Sequence, residues 1–280
     1  MRTVPTEAAV TFRGDAGVEV TSARLRWWKE LATVLVFYGV YSVVRNMQGS
    51  ATVSAAHAFR NARQVISLER LIGLYHEESI QDIFLGSDLV MTVWNVFYGT
   101  FHFFVTIGVL VYLFRRFPVR YARWRTLLAT TTALALIGFA LYPLMPPRLL
   151  PASYGFVDSL VVFGSPWSFD STAMHKISNQ YAAMPSLHFA WALWCALALL
   201  AVVRRRWTRL LAASYPVVTL AAIVITGNHF IIDAVAGAIV LGIAWFVSGL
   251  FSGGQLRPRL LSRARSASPG PSLEPAGDAA

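Results

Sequence analysis

The chain has 280 residues, of which 56% are hydrophobic and only 14% charged, and its mean hydropathy is +0.53. Soluble domains carry roughly a quarter of charged residues, so this composition excludes a water-exposed globule, which would have too little polar surface to cover its core. The net charge of +10 does not point to nucleic acid, because the arginines sit in short loops between apolar blocks, the pattern that orients a membrane protein.

Residues 1–26 hold Arg2, Arg13, Asp15 and Glu19 and lack the apolar stretch of a signal peptide, which predicts an uncleaved cytoplasmic tail. Apolar blocks at about 27–44, 89–114, 126–145, 185–203, 207–227 and 229–251 predict six spanning helices, since ~20 apolar residues cross hydrocarbon roughly 30 Å thick. The expected fold is therefore all-α, a polytopic six-helix transmembrane bundle forming one domain over 27–251. Between the first two blocks, Val53, Ala56, Phe59, Val65, Ile66 and Ile72 recur at helical spacing with Arg60, Arg63 and Glu69 between them. That pattern predicts an additional amphipathic helix on the outer interface; an ordinary packed extramembrane helix would give it too. Only Thr226-Gly227-Asn228-His229 separates the last two blocks, which predicts a tight hairpin. The tail 252–280, rich in Pro, Ser, Gly and Ala, has little to bury and is expected to be disordered. Cys195, the sole cysteine, lies inside an apolar block and says nothing about compartment.

Counting lysines and arginines loop by loop gives orientation. Eighteen fall in the N-terminal tail, the loops at 115–125 and 204–209, and the C-terminal tail; only Arg45, Arg60, Arg63, Arg70, Arg148 and Lys176 fall on the other side. Both termini are thus expected in the cytoplasm, and the long loop 146–184 outside. The alanine and arginine bias fits a bacterial cell membrane. Trp27, Trp28, Trp124 and Trp207 sit near proposed span ends, as an aromatic belt requires.

Three separated polar clusters converge on the outer face. Arg148 follows Pro146-Pro147 at the end of the third span; Asn179, Gln180, Tyr181, Pro185, Ser186 and His188 lead into the fourth; Asn228, His229 and Asp233 open the sixth. His229 and Asp233 are four apart, so on a helix they share a face and the carboxylate can fix the imidazole tautomer. His188, arriving from another helix, is then available to protonate a leaving group. Arg148 offers a bidentate fork for phosphate oxygens, and the helix start near Ser186 offers backbone donors. Such a set performs phosphoryl transfer without metal or cofactor. Taken singly each feature has a plainer reading: a polar helix pair, a Pro-Ser cap, an interfacial anchor. His102, mid-span between Phe101 and Phe103, either contacts substrate or bonds a neighbouring helix.

The strings Tyr142-Pro143-Leu144-Met145-Pro146-Pro147-Arg148, Asn179-Gln180-Tyr181-Ala182-Ala183-Met184-Pro185-Ser186-Leu187-His188 and Gly227-Asn228-His229-Phe230-Ile231-Ile232-Asp233 resemble the type 2 phosphatidic acid phosphatase superfamily, in its branch similar to inositol phosphorylceramide synthase. The resemblance implies a six-helix membrane bundle with His229 as the phosphorylated nucleophile, Asp233 orienting it and His188 protonating the leaving alcohol. Leu187 stands where the broader superfamily has glycine, Ile223 where it has an arginine six before the histidine, and Leu141 where it has a lysine seven before Arg148. With those two cations missing, Lys176, Asn228 and Gln180 are the further candidates for holding phosphate. The expected partners are a lipid phosphate donor, a small alcohol such as inositol or water as acceptor, and the surrounding lipid. Two other classes fit the same residues: a metallohydrolase using His188, His229 and Asp233 as ligands, and a non-catalytic protein that binds or transports a lipid headgroup.

Overall fold

The computed structural model describes residues 11–13, 19–21, 26–47, 54–164 and 180–251. Lys176, Asn179 and the tail 252–280 lie outside the described residues, as does most of the segment 1–26. Among the described residues, one short antiparallel pair joins β1 (Thr11–Arg13) to β2 (Glu19–Thr21). All other regular structure is helical: α1 (Trp27–Met47), α2 (Ala55–Ile72), α3 (Glu77–Leu85), α4 (Asp88–Arg116), α5 (Pro118–Leu141), the single turn α6 (Ser159–Val162), α7 (Leu187–Leu200), α8 (Arg206–Ile225) and α9 (Ile231–Phe251).

Four helices, α4, α5, α8 and Ile231–Gly249 of α9, are long and apolar enough to cross a membrane. Phe104, Leu141, Val217 and Phe246 stand exposed on them, a density of outward apolar side chains that lipid accepts and water does not. This is a membrane protein. The expected fourth span is shorter than its apolar block: α7 has 14 residues, about 21 Å at 1.5 Å per residue, because the chain turns at Ala201 ahead of Arg204. The third begins earlier than expected, at Pro118, where a proline's missing N–H costs nothing in a first turn. It ends at Leu141 rather than 145, since Pro143 disfavours helix at the residue before it.

Helix α7 is the hub. It packs against α4, α5, α8 and α9, and α9 also runs along α5. Trp194, fully buried, donates its indole N–H to the Trp124 carbonyl at 3.0 Å, anchoring α7 to α5. α1 packs against α5, where Glu30 pairs with Arg125. The expected tight hairpin of α8 and α9 does not form. α8 lies along α7 and α9 along α5, so the two diverge from residues 226–230.

The buried stripe of helix α2 is Ala58, Asn61, Ala62, Val65, Ile66 and Glu69. Glu69, expected on the polar face, is wholly buried, whereas Ile72, expected on the apolar face, is half exposed. Three and four residues separate the members of the stripe, so Glu69 follows Val65 and Ile66 onto the same side.

Candidate active site

The three polar clusters meet through main-chain bonds. The Leu144 amide donates to the Tyr181 carbonyl at 2.7 Å, the Arg148 amide to Gly227 at 2.8 Å, and the Ser186 amide to Asp233 at 2.9 Å. Each bond links two different clusters, so the set closes on itself. Two glycines make this approach possible. A Cβ on Gly138 of α5 would come within 2.6 Å of the Pro185 ring, and one on Gly237 of α9 within 2.4 Å of the Ser186 carbonyl oxygen. Ser186 is buried and caps α7, its hydroxyl accepting from the Phe189 amide. It thereby caps the helix that carries His188.

His229 and Asp233 meet, but not on one helix face as expected: His229 lies two residues before α9, and Asp233, in the first turn, reaches back so that Nδ1 is 3.3 Å from Asp233 Oδ2, with both side chains buried. The same Oδ2 accepts from the Phe230 amide at 2.9 Å. With Nδ1 engaged, Nε2 is the ring nitrogen left for chemistry. The His188 ring stands 5.6 Å away, centroid to centroid, at 61°. His188 stacks on Tyr98 at 4.3 Å and meets the edge of His102 at 4.3 Å. His102 sets its Nδ1 3.0 Å from the Tyr98 carbonyl, within its own helix. All four rings line one cavity of about 300 Å³, together with Arg148, Gln180, Asn228 and an apolar wall including Phe103, Phe139, Leu160 and Leu187. Half polar and half apolar, it suits a charged headgroup at the root of a hydrocarbon tail.

Arg148 is the one cation among the described residues lining this cavity. Its Nε donates to Asn228 Oδ1 at 2.9 Å and an Nη to Asp158 Oδ2 at 2.8 Å. Asp158, just before the turn α6, carries no signal in the sequence. Ile223, where the resemblance leads one to expect arginine, is buried, and its carbonyl accepts from the amides of Asn228 and His229. Leu141, where lysine is expected, is exposed on the outside of the bundle.

A family model described as the PAP2 superfamily matches residues 63–247. The chain belongs to the PAP2 superfamily. Members are generally phosphatases or phosphotransferases, and membership indicates a lipid phosphate as substrate. No curated protein and no solved structure matches the chain.

Within this PAP2 protein the site is held by further buried polar residues that no sequence pattern singles out. Gln81 of α3 donates to the carbonyls of Val157 and Ile225 and accepts from the Val157 amide. Asn95 of α4 and Ser159 of α6 bond each other, and Ser159 reaches the Thr226 carbonyl at 2.8 Å. Glu69 and Glu77 reach the first turn of α9. Among the described residues no three His, Cys, Asp or Glu side chains are gathered to hold a metal ion; Asp233 turns its bonded oxygen to His229 Nδ1 and Phe230.

Proposed function

We propose that this PAP2 protein moves the phosphoryl group of a lipid-linked phosphate through a phosphohistidine at His229. The observation that carries the reading is the pairing of His229 with Asp233, with His188 5.6 Å across the same cavity. Nε2 of His229 attacks phosphorus as the bond to the lipid-side oxygen breaks, and His188 gives that oxygen its proton. Asp233 stabilises the imidazole as it gains charge. In the second half His188, now neutral, takes a proton from the acceptor hydroxyl as that oxygen attacks phosphorus and the N–P bond breaks. Arg148, held by Asn228 and Asp158, neutralises phosphate oxygens, assisted by Asn228, Gln180 and Lys176. His102 bounds the headgroup space.

We read α1 and α7 as completing six membrane elements with the four longer spans, α2 as lying at the outer interface, and both termini as cytoplasmic. The site then faces outward from a bacterial cell membrane, and the acceptor is a small alcohol of the inositol type. The test is turnover of phosphatidylinositol, phosphatidic acid and a polyprenyl phosphate by purified protein in detergent, with trapping of phosphohistidine. Loss of activity and of the trapped adduct in folded His229→Ala, and of activity in His188→Ala, supports the reading. Wild-type turnover by His229→Ala refutes it. Phosphate release that added inositol does not divert identifies water as acceptor. Retained cellular function in His229→Ala favours a headgroup-binding protein.

A further inference from the structure

The first turn of any helix leaves amides without partners. At the start of α9 three consecutive ones, from Phe230 just before the helix to Ile232, are taken by three different carboxyl groups. The Phe230 amide donates to Asp233 Oδ2 at 2.9 Å, the Ile231 amide to Glu77 Oε1 at 2.9 Å, and the Ile232 amide to Glu69 Oε1 at 2.8 Å. Glu69 and Glu77 are fully buried and come from α2 and α3, over 150 residues away in the chain. Glu77 Oε2 is also engaged, by the His76 amide at 3.0 Å. Glu69 Oε2 is buried with no hydrogen-bond partner. Arg70, its chain neighbour, lies over the Tyr75 ring instead.

We propose that Glu69 and Glu77 are positioning residues for His229: a carboxyl pair sharing one proton, which clamps the first turn of α9 and so fixes His229 and Asp233 on either side of it. Two buried carboxylates held on adjacent amides of one turn repel each other and do not both stay charged. A proton on Glu69 Oε2 gives that oxygen a role, as donor to Glu77, and leaves Oε1 to accept from Ile232. Burial, with the charges of Glu77 from α3 and Asp233 from α9, pushes the Glu69 carboxyl up to about 9. The remaining negative charge sits at the positive end of the helix dipole. The clamped amides belong to residues 230–232, between His229 and Asp233. If that turn drifts, the 3.3 Å contact of His229 with Asp233 drifts with it.

The proposal rests on His229 being the nucleophile, and its test separates the two. Glu69→Gln, which copies the protonated carboxyl in shape and donor, is expected to keep kcat within about threefold, since each hydrogen bond survives. Glu69→Ala and the shorter Glu69→Asp are expected to lower kcat by about 100-fold at nearly constant KM, the size of effect that a misplacement near 1 Å produces. Hydrogen–deuterium exchange of the peptide spanning 228–235 is expected to stay slow in Glu69→Gln and to become fast in Glu69→Asp and Glu69→Ala. Should Glu69→Ala fail to fold, the Gln and Asp variants decide. Loss of kcat in Glu69→Gln equal to that in Glu69→Asp, or wild-type kcat and exchange in Glu69→Asp, overturns the proposal. If the wild type turns over no lipid phosphate, the phosphotransfer reading fails, while unchanged exchange across all variants sinks the clamp independently.

Discussion

Replacing Asp233 by asparagine changes almost nothing in shape and almost everything in charge. Asp233 is wholly buried; its Oδ2 accepts from the Phe230 amide and faces His229 Nδ1 at 3.3 Å. An asparagine oxygen can keep the Phe230 bond, so the helix start survives. What is lost is the negative charge that steadies the imidazole while its N–P bond forms. A hydrogen bond to a charged partner is worth about 1.5–3 kcal/mol, or roughly 10- to 150-fold in rate. The 3.3 Å separation is long for such a bond, as resting catalytic contacts often are before the ring charges. The amide can also present its NH2 to Nδ1, moving the imidazole proton to Nε2 and blocking attack, an error that raises the loss to about 10⁴ in comparable histidine–carboxylate pairs. The expected fall in kcat is therefore ~10²- to 10⁴-fold. Phosphate release from a lipid phosphate in detergent measures it, with thermal unfolding as the check on integrity. A folded Asp233→Asn protein with kcat within about threefold of wild type would refute the argument.

Arg148→Ala should raise KM about tenfold or more, the scale of one lost charge-assisted phosphate contact, and steady-state kinetics should show Arg148→Lys only partly restoring it because the fork is gone. Gly237→Ala places a Cβ 2.4 Å from the Ser186 oxygen and is expected to destabilise by ~1–3 kcal/mol. Gly242→Ala, whose Cβ meets nothing within 4 Å, should leave the melting temperature unchanged; equal melting of the two variants would count against the close approach. In the native chain Glu69 keeps its proton from the ordinary 4.5 up to about 9, whereas the unfolded chain releases it above 4.5. Stability should thus fall as pH rises through that window, by at most ~1.4 kcal/mol per pH unit from this group. Thermal unfolding of Glu69→Gln should show a flatter dependence, and an unchanged slope would contradict a proton on Glu69.

The membrane setting and the core of the site are legible in the order of the amino acids, because both are carried by short-range pattern. Apolar blocks of spanning length mark α4, α5, α8 and α9, and His229 and Asp233 are close enough in the chain for their pairing to be read from it, although His229 stands just before α9 and the contact is made across the helix start rather than along a helix face. The boundaries of α5 depart from its apolar block for an equally local reason, Pro118 opening the helix and Pro143 closing it. The ion pair of Arg148 with Asp158, the stacking of His188 on Tyr98 and the reach of Glu69 to Ile232 across 163 residues are not legible in that way. Glu69 in particular has the spacing of a solvated face on an amphipathic helix, and only the burial of its stripe against the start of α9 shows why an acid stands there. Periodicity tells which side of a helix is apolar. Which unsatisfied amide that side meets is fixed by how distant helices pack, since a buried carboxyl is tolerated only where the tertiary structure brings donors to it.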